Sequence, residues 1–137
     1  MTERTRSRDR ISEQDITAKL QTFSVWKRIE KNPLLSDVIL STGRLIERLV
    51  MENPQGISLQ VYEKRYQGYW AILFLLQCPT CEYADALQIW KSVAHSVQEQ
   101  IKQIGPESSK YVHRIRIEVR GREELQRRGT YKQHEFV

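Results

Sequence analysis

The chain has 137 residues, of which 39% are hydrophobic and 28% are charged, and its net charge is +5. This length favours a single domain, and the composition is typical of a soluble globular protein with a core of its own. Residues 1–10 are nearly all polar, and the longest apolar run, residues 69–76, is far too short to cross a bilayer. We therefore expect no secretory signal and no membrane span, and a cytoplasmic location.

The excess positive charge lies at the two ends of the chain. Residues 1–10 hold four arginines against two acidic residues, and residues 111–137 hold seven Lys or Arg against four Glu, whereas residues 11–110 are balanced. This distribution favours an anionic partner, nucleic acid first and an acidic protein surface second. Basic ends that merely keep the protein soluble are the alternative. We divide the chain into a disordered basic leader (1–10), one domain (11–120) and a basic tail (121–137).

Two helices are predicted before the first strand. Apolar residues recur at three- and four-residue steps from Ile16 and predict a helix over residues 12–31, with Ser12 as its N-cap. The Asn32-Pro33 pair then interrupts the pattern, because proline disfavours a continuing helix. Asn32 can cap a second helix that starts at Pro33. The apolar face of that helix comprises Leu35, Val38, Ile39, Leu45, Ile46 and Leu49.

A β-hairpin is predicted next. Ile57, Leu59 and Val61 alternate with polar residues, which indicates a strand with one buried face. Residues 64–68 form a polar connection, and residues 69–76 are apolar on both alternation faces, which predicts a central strand covered on both sides. The connection is too short for a parallel crossover, so the two strands should pair antiparallel.

The rest of the domain is predicted as a helix over residues 84–104 and a third strand over residues 111–120. A strand–helix–strand unit crosses over right-handed and should place the third strand parallel to the central one. The fold class is thus α+β, in the order helix-helix-strand-strand-helix-strand, with a small three-stranded mixed sheet covered by helices on opposite faces. Two exposed sheet edges favour a homodimer, formed through the third strand. Beyond Gly121 we expect a short helix.

The third strand supplies the predicted binding site. Arg114, Arg116 and Arg120 alternate along it and should share one face, and Arg122 follows. Same-face residues lie about 6.5–7 Å apart, close to the spacing of phosphates along one nucleic-acid strand. Tyrosines on the polar side of the hairpin could add stacking surfaces. A solvated face whose charges pair with Glu118 is the alternative.

Cys78-Pro-Thr-Cys81 is the sharpest chemical motif. It lies between a predicted strand and a predicted helix, where a helix N-terminus lowers a thiol's pKa. Its spacing and placement resemble the redox motif of the thioredoxin and glutaredoxin families, and the resemblance, which covers these four residues and their flanks, implies thiol–disulfide chemistry. In a chain without a signal, two reduced thiols are expected rather than a structural disulfide.

Zinc is the other chemistry that the two cysteines could support. They are half of a tetrahedral site, and the remaining ligands would come from the chain's three histidines, which form no second paired motif. His95 and His113 are expected to pack in the interior, and His134 lies in the tail.

The sequence favours a non-enzymatic binding or accessory protein. The glycines are scattered and form no phosphate-binding loop, and neither a nucleophile elbow nor a metalloprotease motif is present. No cofactor is predicted. A thiol-redox or zinc-linked protein that uses Cys78 and Cys81 is the alternative function, and a structural subunit of a larger assembly is a further one.

Overall fold

A computed structural model describes residues 16–126, and it confirms the α+β fold class. Residues 16–21 are helical (α1). The elements that follow are α2 (Trp26–Glu30), α3 (Pro33–Glu52), β1 (Ser58–Tyr66), β2 (Tyr69–Gln77), α4 (Tyr83–Ile104), a 3-10 helix (Ser108–Arg114), β3 (Ile115–Arg120) and α5 (Arg122–Gln126).

The single helix predicted over residues 12–31 is wrong, because residues 22–25 break it into α1 and α2. The hydroxyl of Thr22 donates to the carbonyl of Lys19 at 2.6 Å. Ser24 donates from its backbone and its hydroxyl to the Glu63 carboxylate, at 3.0 and 2.6 Å. Such side-chain bonds offer the backbone an alternative to the helix. The predicted cap Ser12 lies outside the described residues.

Helix α3 begins as predicted. The side chain of Asn32 accepts a hydrogen bond from the backbone N–H of Leu35 at 3.2 Å, and Pro33 occupies the first helical turn. Asn32 also donates to the Tyr111 hydroxyl at 2.8 Å, which ties the start of α3 to the 3-10 helix. The cap therefore serves both the local helix and the tertiary fold.

The sheet has the order β1-β2-β3, with β1 antiparallel and β3 parallel to β2, as predicted. The hairpin is longer than the sequence indicated, because Tyr66 pairs with Tyr69 across a turn of only two residues. Gln67 (φ 24°) and Gly68 (φ 85°) both have positive φ angles, which is the backbone of a tight hairpin turn. Residues 64–66 consequently belong to β1.

Both long helices pack on one face of the sheet, so the prediction of helices on opposite faces is wrong. One core cluster joins apolar residues of α3 and α4 to alternate residues of β2. The β2 members of that cluster are Trp70, Ile72, Phe74 and Leu76. Ala71, Leu73 and Leu75 point to the second face of the sheet, and each is at most 2% exposed. Within residues 16–126, no helix shares a core cluster with these three residues. In the register, Leu73 lies between Tyr62 and Arg116, so long side chains of both outer strands flank it.

The third strand is shorter than predicted. It begins at Ile115, because residues 108–114 form the 3-10 helix instead. Arg114 therefore precedes β3 rather than lying on it. The described helices include none that is both long enough and apolar enough to traverse a lipid bilayer.

Candidate nucleic-acid interface

The four predicted arginines do not form a single exposed face. Arg114, at the end of the 3-10 helix, donates to the carbonyl of Trp70 at 2.8 Å. Its guanidinium stacks over two rings, with its central carbon 4.3 Å from the ring centre of Trp70 and 5.3 Å from that of Tyr69. Arg114 is half-buried, so it contributes both to packing and to the charge of the surface.

Arg116 and Arg120 share a face of β3, as predicted, but differ in exposure. The Arg116 side chain is 47% exposed, whereas that of Arg120 is 2% exposed. Glu118 lies between them, with carboxylate oxygens 4.0 Å from Arg116 and 3.8 Å from Arg120. Arg116 can reach a ligand from this position, whereas Arg120 is part of the interior.

Arg122 lies beyond β3, at the opposite end of the sheet from the hairpin turn. Its guanidinium forms an ion pair with Glu82, and its backbone N–H donates to the carbonyl of Cys81 at 2.8 Å. It is consequently separated from Arg114 by the length of the strand. The predicted run of four arginines is thus divided between the two ends of β3.

A different set of residues is brought together where the hairpin turn meets the start of β3. The Tyr69 ring centre lies 6.1 Å from that of Tyr66 and 6.1 Å from that of His113. The Tyr69 hydroxyl donates to the carbonyl of His113, and Arg116 donates to the Tyr66 hydroxyl at 3.1 Å. With Arg114, these residues form what we call the hairpin-end surface: Tyr66, Tyr69, His113, Arg114 and Arg116.

The hairpin-end surface is accessible and positively charged. Tyr69 is 37% exposed, His113 is exposed and Tyr66 is half-buried. Lys64 lies near Arg116 on the same sheet face. Burial lowers the pKa of Lys64, Glu118 opposes this shift, and Arg116 and Arg120 add to it. The main cause of this shift is burial, because a buried ammonium group loses hydration. Three rings and two guanidinium groups can stack on bases and bind phosphates.

Two of the residues in this surface were missed by sequence reasoning. Tyr69 reads as part of the buried central strand, yet it flanks the turn and is partly exposed. His113 reads as a buried strand residue, but it lies in the 3-10 helix and is exposed. His95, also predicted to be buried, is exposed on α4. A two-residue turn at Gln67-Gly68 is the signal that could have placed Tyr66 opposite Tyr69.

Cys78 and Cys81 form a disulfide, so the expectation of two reduced thiols is wrong. Neither residue is exposed. The side-chain oxygen of Gln55 lies 3.3 Å from the sulfur of Cys81 and 3.7 Å from that of Cys78. The turn is also held to the end of β3, because the Cys78 N–H donates to the carbonyl of Arg120 at 2.9 Å.

The disulfide form has no thiolate to offer a zinc ion. Within residues 16–126, His, Cys, Asp and Glu side chains form no cluster of three or more that could hold a metal. His134 lies outside the described residues. The zinc alternative thus has no support from the described part of the chain.

Comparison of this chain with known protein families, with curated proteins and with solved structures found no match.

Proposed function

We propose that this is a cytoplasmic, non-enzymatic accessory protein that binds single-stranded nucleic acid through the hairpin-end surface. One observation carries the proposal: three neighbouring rings lie beside two guanidinium groups at one end of the sheet. Unpaired bases present flat faces that stack on aromatic side chains, and each such contact contributes about 1–3 kcal/mol.

The geometry favours single strands over a duplex. The rings lie at the end of the sheet, where the turn meets β3, rather than on a protruding helix that could enter a major groove. In a duplex the bases are stacked on each other and cannot reach such rings, whereas a flexible strand can place its bases there. Binding should be weakly sequence-specific, because every base has a face that can stack.

The proposal is tested by fluorescence anisotropy with a labelled single-stranded oligonucleotide and the duplex of the same sequence. The chain should bind the single strand more tightly. Tyr69→Ala should weaken that binding about 5- to 150-fold, which corresponds to about 1–3 kcal/mol of lost stacking. Tyr69→Phe keeps the ring and should stay much closer to the unsubstituted protein.

The matched control for the tyrosine is Tyr83→Ala. Tyr83 is 66% exposed but begins α4, at the end of the sheet away from the hairpin turn. Its removal should leave binding unchanged. If the chain does not bind single strands at low salt, or if Tyr69→Ala and Tyr83→Ala act alike, the proposal is wrong. Failure to bind any oligonucleotide would rule out nucleic acid and leave an acidic protein surface as the expected anionic partner.

Thiol–disulfide exchange is the second candidate function, and the Cys78–Cys81 disulfide is the observation that favours it. In that reaction a partner dithiol would be oxidised to a disulfide while both cysteines become thiols. The sulfurs have no exposed surface, so an attacking thiolate needs the turn to open first.

The exchange reaction is tested by incubation with a low-molecular-weight dithiol, followed by alkylation and mass measurement. A catalytic disulfide should be reduced while near-ultraviolet circular dichroism still shows native packing. Reduction that occurs only as the protein unfolds would contradict an exchange function and leave the disulfide a structural role.

A further inference from the structure

The two edges of the sheet differ in how they are covered. At the β3 edge, the indole N–H of Trp90 on α4 donates to the carbonyl of Ile117 at 2.8 Å. The carbonyl of Arg120 accepts a hydrogen bond from the N–H of Cys78 at the end of β2, so the backbone groups of Arg120 point toward β2. Backbone direction alternates along a strand, so those of Ile117, three residues earlier, point away from β2. The Trp90 side chain thus occupies one outward carbonyl of β3, the strand through which the sequence favoured a homodimer.

Within the described residues no other strand pairs with the outer edge of β1, although Ser24 bonds to the Glu63 side chain beside it. In a two-residue hairpin the pair that flanks the turn, here Tyr66 and Tyr69, is hydrogen-bonded, and bonded pairs alternate along the ladder. The outward backbone groups are therefore those of Leu59, Val61, Glu63 and Arg65. Nothing within residues 16–126 forms a hydrogen bond to them.

We propose that two copies of this chain pair antiparallel through the outer edges of β1 and so form one six-stranded sheet. An open edge of nine residues is long enough to act as a template for another strand, and a second copy presents the same edge. This inference rests on the backbone and is independent of nucleic-acid binding.

The number of paired residues and the charges that face each other favour one register between the two β1 strands. A two-fold axis at Tyr62 places all nine residues opposite a partner residue and allows about eight backbone hydrogen bonds. In this register Lys64 faces Gln60, Glu63 faces Val61 and Arg65 faces Leu59, so no like charges face each other directly. Moving the axis to Glu63 would place two carboxylates opposite each other.

A groove lies beside the β1 edge, and both Glu47 and Lys19 line it. Its volume is about 1000 Å³, and it lies between α1, the end of α3 and β1. Met51, which is 50% exposed, lines it together with the buried Glu47 and with Leu59. The pairing brings Arg65 of the second copy opposite Leu59, which lines the groove. Within its own chain, the Arg65 guanidinium donates to the Ser24 hydroxyl at 3.0 Å. The second copy would therefore lie against this groove.

The test is sedimentation equilibrium of the full chain, whose mass is 16.3 kDa, at protein concentrations from about 1 to 100 µM. The expected result is a dimer. Tyr62→Glu removes a Tyr–Tyr pair and places two carboxylates across the two-fold axis, so it should weaken the dimer about 2- to 30-fold. Gln60→Glu changes the same edge by the same charge but faces Lys64, so the dimer should be as tight or tighter. Circular dichroism confirms that both variants fold.

A crosslink tests the register itself. Tyr62→Cys should give a covalent dimer under mild oxidation, because each new thiol faces its own copy across the axis. Ser58→Cys should not, because Ser58 faces Tyr66 of the second copy in this register. A chain that stays monomeric at 100 µM, a dimer that Tyr62→Glu does not weaken, or crosslinking of both cysteine variants alike would overturn the proposal.

Discussion

Gly121 shows how a single residue position can join distant parts of this fold. A Cβ atom at Gly121 would lie 2.7 Å from the carbonyl oxygen of Cys81, closer than atoms can pack. The contact is with backbone, which cannot rotate away as a side chain can. The absence of a side chain therefore lets the end of β3 approach the cysteine turn.

Gly121→Ala should lower the free energy of unfolding by about 1–3 kcal/mol, because the turn or the strand end must shift. Gly56→Ala is the matched control, since a Cβ atom there would meet nothing within 4 Å. That control should be neutral or slightly stabilising. Urea denaturation measures both, and equal stabilities of the two variants would contradict the close approach at Gly121.

Residue-level features were predictable where they depend on near neighbours in the chain. The capping role of Asn32 could be read from Asn-Pro alone and is confirmed. The burial of Arg120 and the stacking of Arg114 on Trp70 could not, because they depend on which strands are neighbours and on where β3 begins. Alternation along a strand indicates a shared face, but it does not indicate how exposed that face is.

At the level of elements, the start of α3 makes a quantitative test possible. Asn32→Ala removes the cap of α3 and also the bond to the Tyr111 hydroxyl, so it should cost about 2 kcal/mol of stability. Tyr111→Phe removes only the second bond and should cost about 1 kcal/mol. A double-mutant cycle measured by urea denaturation separates the two contributions. Equal losses for the two single variants would contradict a separate capping role.

The order and pairing of the strands were predictable from the sequence, whereas the placement of the helices was not. A short link requires a hairpin, and the crossover through α4 places β3 parallel to β2, as found. Apolar periodicity shows that a helix has a buried face, but it does not show which face of the sheet receives it. The central strand is apolar on both faces, and α3 and α4 nonetheless pack on the same one.

At the scale of the whole molecule, the disulfide ties the end of β2 to the start of α4. It closes a short loop, with the two cysteines three positions apart, and should contribute about 2 kcal/mol through the entropy of the unfolded chain. Urea denaturation with and without dithiothreitol should show that loss. A midpoint that reduction leaves unchanged would mean that the disulfide adds nothing to stability.

Pairing through β1 would give the nucleic-acid surface a defined arrangement. Because the strands run antiparallel across the two-fold axis, the two hairpin turns would lie on opposite sides of that axis. Each six-stranded sheet would then carry two separate hairpin-end surfaces. One long single strand could contact both, which should raise its affinity above that of a strand that reaches only one.

The most direct test of the nucleic-acid proposal is the salt dependence of single-strand binding, measured by anisotropy with the unsubstituted protein and with Arg116→Gln. The logarithm of the affinity should fall linearly with the logarithm of salt concentration, and loss of one phosphate contact should reduce the slope by about 0.7. Arg44→Gln removes the same charge from an exposed position on α3 and should leave the slope unchanged. Binding that is absent at low salt, or a slope that Arg116→Gln does not alter, would contradict the proposed interface.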